Sequence, residues 1–208
     1  ELSRAQRAAL CDLLDEVGPE APTLCDGWTT HELAAHLVVR EGRPDTSLGF
    51  VGGPLAAWTE KVQSDAASQD YGKLVKLIRK GPPIWSAFRL PWVDGQLNTL
   101  EYFVHIEDVR RAAPDWQPRE LDQALRDFMW DRLKLAGRTW FSGVSGGVTL
   151  VRSDGETATH KVKGGKPMVT VCKPSYVKMV TNTTSEYKGS VLHTGRRYQF
   201  YVTMHDAN

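Results

Sequence analysis

The sequence predicts a mainly helical bundle followed by a small α+β unit, and three observations carry that expectation. In the first two-thirds of the chain, apolar residues recur at helical spacing behind capping-box pairs. Near Gly143 the period changes to two. There Asp154-Gly155 divides two alternating runs, GVTLVRS and ETATHKV, the strongest short-range mark of a β-hairpin.

Ser3 and Gln6 have capping-box spacing, and Ala8, Leu10, Leu13, Leu14 and Val17 form the apolar stripe of a first helix that stops at Gly18. Thr29 and Glu32 repeat the box ahead of ELAAHLVVRE, a second helix ended by Gly42 and Pro44. A third helix is expected from about Pro54 to Gln69, and Leu74, Val75, Leu77 and Ile78 mark a fourth that stops at Gly81-Pro82-Pro83. IWSAFRLPWVDG reads as a structured loop with aromatic anchors. Helices from about Gly95 to Ala113 and from Glu120 to about Arg138 follow. Beyond the hairpin, MVTVC is expected as a strand, SYVKMVTNTTSEY as a short helix and RRYQFYVTMH as a terminal strand. The expected domains are residues 1–142, the bundle, and residues 143–208, the α+β unit.

Lys and Arg total 26 against 25 acidic residues, and a net charge of +1 supplies no field that would attract nucleic acid or a membrane surface. No apolar run approaches the ~20 residues that span a bilayer. Three cysteines, Cys11, Cys25 and Cys172, without CxxC spacing argue against a disulfide framework and for a reducing compartment. The expectation is a cytoplasmic protein, monomeric or homodimeric, whose partners are small molecules.

The most informative stretch is LNTLEYFVHIEDVRRA, on the helix from Gly95 to Ala113. At helical spacing, Leu97, Leu100, Val104 and Val109 share one broad arc, and Glu101, His105 and Asp108 fall inside it. Glu101 and His105 are four apart, so their side chains stand one above the other. Burying a carboxylate beside an imidazole is costly unless a pair, a hydrogen-bond network or a metal compensates. Two readings fit: ligands presented to a cation from an inward helical face, or an intrahelical pair at a wetted edge. His36, on the second helix, supplies a third donor to the first reading and is a satisfied structural histidine in the second. Three nitrogen and oxygen ligands leave a fourth position open, the arrangement of a catalytic zinc site.

Other matches fail. HELAAH at 31–36 has one residue too many for H-E-x-x-H, and five helical steps leave His31 and His36 about 140° apart. His105-Ile106-Glu107 has the H-x-E of zinc deaminases but no P-C-x-x-C partner. No nucleophile elbow, Walker A or dinucleotide fingerprint occurs. Cys25, ahead of Asp26-Gly27-Trp28, reads as a buried structural thiol, with an accessible one as the alternative.

LCDGWTTHELAAHLVVREGRPD, GPPIWSAFRLP and LNTLEYFVHIEDVRRAAPDW together resemble the actinobacterial metal-binding proteins related to mycothiol-dependent maleylpyruvate isomerase, within the DinB-like four-helix-bundle group. The most specific parts are Trp28, Leu33 and His36 in W-x-x-x-x-L-x-x-H-L, and Glu101, His105 and Asp108 in E-x-x-x-H-x-x-D. This resemblance implies a divalent metal, usually zinc, held by His36, Glu101 and His105, with Asp108 orienting an imidazole. It also implies chemistry carried through that metal: an isomerase or S-transferase in which mycothiol or another low-molecular-weight thiol adds to a small electrophilic substrate. Arg40, one turn beyond His36, would meet an anionic group of the substrate. A second histidine common after the last ligand is replaced by Ile106. The alternative is a non-catalytic protein whose ion is structural or sensory.

Overall fold

A computed structural model describes residues 1–25, 27–46, 56–140 and five strands at 147–152, 158–163, 167–172, 187–193 and 196–202. The described part is mainly helical. Two compact units divide the chain: Glu1–Gln117 with Leu192–Arg196, and Pro118–Val191 with Arg197–Asn208.

The first unit holds α1 (Leu2–Val17), α2 (Thr30–Gly42), α3 (Ala56–Ala67), α4 (Tyr71–Lys80) and α5 (Thr99–Ala112). α1 packs on α4 and α5, and α2 packs on α3 and α4. Their apolar stripes meet in one core, where Leu10, Leu14, Leu37, Leu74 and Tyr102 are wholly buried. Each such leucine contributes about 1.5–3 kcal/mol by leaving water, which is why five short helices hold together where none would alone.

The start of α1 differs from expectation. Glu1, not Ser3, is its N-cap and makes no side-chain cap bond. Ser3 is buried inside the helix and donates its hydroxyl to the Asp94 carboxylate. A polar side chain in the first turn was therefore recruited by a distant segment rather than by the helix end. At α2 the box is real. The Thr29 amide donates to Glu32 Oε2 at 2.8 Å, and Thr29 Oγ1 accepts from the His31 amide at 3.2 Å. Asp70 caps α4 by accepting from the Lys73 amide at 2.9 Å. Gly81 ends that helix at φ 83°, and a Cβ there would lie 2.8 Å from Arg7 Nη1, so glycine serves both the backbone and the close approach.

Ahead of α5 the chain makes a short turn at Pro91–Val93 and then a wide π-helical turn at Asp94–Asn98. That turn changes the phase of the helix, because each π turn takes up more residues than an α turn. Leu97 consequently lies exposed rather than on the inward arc. The buried apolar residues of α5 are Tyr102, Phe103, Ile106 and Val109, beside the buried Glu101, His105 and Asp108. Asp94 anchors the wide turn, accepting from Ser3, from Arg7 Nη2 at 3.0 Å and from Asn98 Nδ2 at 2.9 Å.

In the second unit, α6 (Gln123–Trp140) buries Leu125, Met129 and Leu133 at helical spacing and meets β2. The sequence groups that helix with the bundle. The expected boundary at 142 and 143 lies in residues 141–146, outside the described residues. β1 (Gly147–Arg152) pairs antiparallel with β2 (Ala158–Lys163) and parallel with β3 (Pro167–Cys172), in the order β2-β1-β3. Asp154-Gly155 lies between β1 and β2, outside the described residues. β4 (Tyr187–His193) and β5 (Arg196–Val202) form a separate pair. The short helix expected at 175–187 falls mostly outside the described residues, and β4 begins at its last position.

Removing the α2 cap tests this account of the helix start. Thr29→Ala should lower stability by about 1 kcal/mol, read as a fall in the urea midpoint at unchanged slope. An unchanged midpoint would mean that the box contributes nothing to the register of α2.

Candidate metal centre

The centre is built where α2 and α5 face each other. His36 is in the second turn of α2, held there by the Thr29 cap below it and by Leu33 and Leu37, both wholly buried, on either side. Glu101 and His105 are one helical turn apart on α5. All three are buried, at 0, 3 and 1% exposure. His36 Nε2 and His105 Nε2 each lie 3.3 Å from the same atom, Glu101 Oε1. The donor atoms lie within 4.8 Å of one another. The two rings stand edge to face with centroids 5.5 Å apart, and Trp28 covers His36 from the other side at 5.1 Å.

Asp108 and Arg40 complete the surroundings. Asp108 Oδ2 accepts from His105 Nδ1 at 3.0 Å, the partner expected to orient that imidazole. Arg40 is buried rather than solvated. Its Nε lies 3.2 Å from Glu101 Oε1, its Nη1 donates to Asn98 Oδ1 at 2.7 Å, and its guanidinium stacks 4.2 Å above the Phe88 ring. Three cationic or imidazole groups thus converge on one carboxylate oxygen. His31 takes no part, because its Nε2 is engaged with the Gln69 carbonyl at 2.9 Å.

Sequence reasoning missed two features. One is the chain of polar contacts behind the site, from Arg7 through Asp94 and Asn98 to Arg40 and Glu101. Its only sequence signal is spacing: Arg40 is four from His36, and Asn98 is three before Glu101. The other is Cys25, whose Sγ lies 3.4 Å from Asp108 Oδ2.

The two histidines share a carboxylate and respond to it differently. Burial pushes His36 down to about 4, against the opposing pull of Glu101. Burial also disfavours the charged form of His105, but contacts with Asp108, Cys25 and Glu101 carry it well above the ordinary histidine value. The two rings are therefore pushed in opposite directions, His36 toward its neutral form and His105 toward its protonated one. Two imidazoles and a carboxylate, gathered in a buried pocket with a further carboxylate behind one ring, fit the donor chemistry of a divalent ion such as zinc.

A helical unit with a buried His–Glu–His group between two of its helices is the class of protein that fold and site define. Residues 1–80 match the family model described as the mycothiol maleylpyruvate isomerase N-terminal domain, so that segment of the chain is similar to this family. Cys25, His36 and Arg40 lie within the matched span; Asn98, Glu101, His105 and Asp108 lie beyond it. Neither a curated protein nor a solved structure matches the chain.

The opposite shifts predict a stability profile with two limbs in chelator-treated protein. His36 binds fewer protons folded than unfolded. Its contribution is complete above the ordinary value of 6.5 and is lost as pH falls toward about 4. His105 behaves in reverse: its contribution is complete below 6.5 and is lost as pH rises through its raised value. Urea midpoints across this range should lose the acid limb in His36→Gln and the alkaline limb in His105→Gln. A single limb shared by both variants would contradict the division of charge.

Proposed function

We propose that this chain is a metal- and thiol-dependent enzyme in which His36, Glu101 and His105 hold one divalent ion, zinc in type. Mycothiol or another low-molecular-weight thiol is its co-substrate, for isomerisation of, or S-transfer to, a small electrophile. The observation that carries the reading is the convergence of the three buried donors from α2 and α5 on one point. Its agreement with the family matched by residues 1–80 supports the thiol part.

When bound, such an ion supplies a Lewis acid that lowers the pKa of a coordinated thiol. The chain's own residues do the rest. Asp108 accepts the His105 Nδ1 proton, so the Nε2 lone pair faces the donor group once the ring is neutral. Arg40, fixed by Asn98 and stacked on Phe88, pairs with Glu101 and leaves a cation beside any anionic group that enters. Trp28 seals one side of His36 and keeps water from it. The thiolate then adds to the electrophilic carbon. The electron pair of the substrate's activated double bond passes to its carbonyl as an enolate. In isomerisation the enolate expels the thiolate again after rotation about the new single bond; in conjugation it takes up a proton from solvent and the sulfur stays.

Nearly complete burial of all three donors favours a second reading, in which the ion is structural or sensory. Ligand deletion separates the two. His105→Ala should stay folded, lose about 1–3 kcal/mol because Glu101 and Asp108 each lose a buried partner, lose most of its metal by elemental analysis, and lose thiol-dependent turnover. If the ion is instead a staple, chelation of the wild type should lower its melting temperature sharply, because binding energy is then folding energy. Full metal occupancy in His105→Ala would remove this residue from the site.

A further inference from the structure

Cys25 differs from the other buried thiol of the described residues. Cys11 sits in the apolar core, with its Sγ 3.9 Å from the Val75 carbonyl. Cys25 instead occupies a tight turn ahead of α2, fixed by its amide on Thr23 Oγ1 at 3.1 Å and its carbonyl on the Trp28 amide at 3.0 Å. The Leu24 amide donates to the Asp108 carbonyl at 3.2 Å, which ties this turn to the end of α5. The result is a buried thiol, carboxylate and imidazole whose donor atoms lie within 4.8 Å of one another. This group uses the opposite edge of His105 from the one that faces Glu101 and His36: Asp108 Oδ2 is 3.0 Å from Nδ1 and 3.4 Å from Cys25 Sγ.

We propose that Cys25 Sγ, an Asp108 oxygen and His105 Nδ1 form a second metal-binding position, suited to a thiophilic divalent ion. The donor set is the reason. A thiolate, an imidazole and a carboxylate suit zinc, cobalt(II) or cadmium, whereas magnesium and calcium take oxygen ligands. Occupation releases two protons to solvent, that of the Cys25 thiol and the one on His105 Nδ1, whose lone pair then faces the ion. His105 then carries its remaining proton on Nε2, where Glu101 Oε1 accepts it at the 3.3 Å already present. Glu101 and Asp108 thus exchange roles between the two positions. Each is a ligand on its own side and the orienting acceptor on the other. This second position shares His105 with the proposed catalytic one but needs neither His36 nor any turnover.

The test is a cobalt(II) titration of the chelator-treated full chain without oxygen, followed by absorption. A near-ultraviolet thiolate-to-cobalt charge-transfer band should grow in the wild type, vanish in Cys25→Ser, persist in Cys11→Ala and persist in His36→Ala. Asp108→Asn should weaken the affinity read from that band at least tenfold, which keeps the proposal testable if Cys25→Ser folds poorly. Saturation with cobalt and no such band, or a band that survives Cys25→Ser, would overturn the second position. Either result would leave the sulfur-free His36, Glu101 and His105 reading untouched. Loss of only part of the visible cobalt absorption in His36→Ala, with the charge-transfer band intact, would support both.

Discussion

A carboxylate carried into the middle of a helical unit sets the terms for everything around it. Glu101 would be too costly to bury alone, and the structure answers with His36, His105 and Arg40 on a single oxygen. Meeting that demand brings α2 and α5 together at His36 and Glu101. It also commits Arg40, which in turn needs Asn98 and the Phe88 ring. The electrostatic cost of one residue is spread through a network that reaches Arg7 on α1.

The same arrangement gives the site its chemical character. Burial favours the neutral form of one imidazole, and carboxylates on both edges of the other favour its charged form. In the proposed metal-bound form a divalent cation would take the place of a proton among these groups, so ion binding and the apo network would compete for the same lone pairs. His105 is the element with two outcomes, because each of its nitrogens faces a different carboxylate. Cys25 stands beside one of them and leaves the other to His36.

Much of this was legible in the sequence, for physical reasons. Glu101, His105 and Asp108 could be placed on one face because i, i+4 and i+3 spacings hold in any regular helix. Thr29 and Glu32 could be recognised because a capping box depends only on local atoms. Ser3 and Gln6 carry the same spacing and mislead, since the Asp94 carboxylate outcompetes the helix end for Ser3. The π turn at Asp94–Asn98 has no local composition of its own. It exists because Ser3, Arg7 and Asn98 hold Asp94, so the phase error that placed Leu97 inward could not be seen in advance. The partners of Arg40 could not be read from the sequence because they lie 58 and 61 positions away, at Asn98 and Glu101. β4 was missed because its sequence, YKGSVLH, alternates poorly.

The claim on which the rest depends is that His36 and His105 meet Glu101 around an ion. X-ray absorption at the zinc edge, on protein reconstituted with one equivalent of zinc, tests it most directly. The account predicts a first shell of nitrogen and oxygen with the multiple-scattering signature of two imidazoles, reduced to one imidazole in His36→Ala. A shell dominated by sulfur, or one unchanged in that variant, would contradict it.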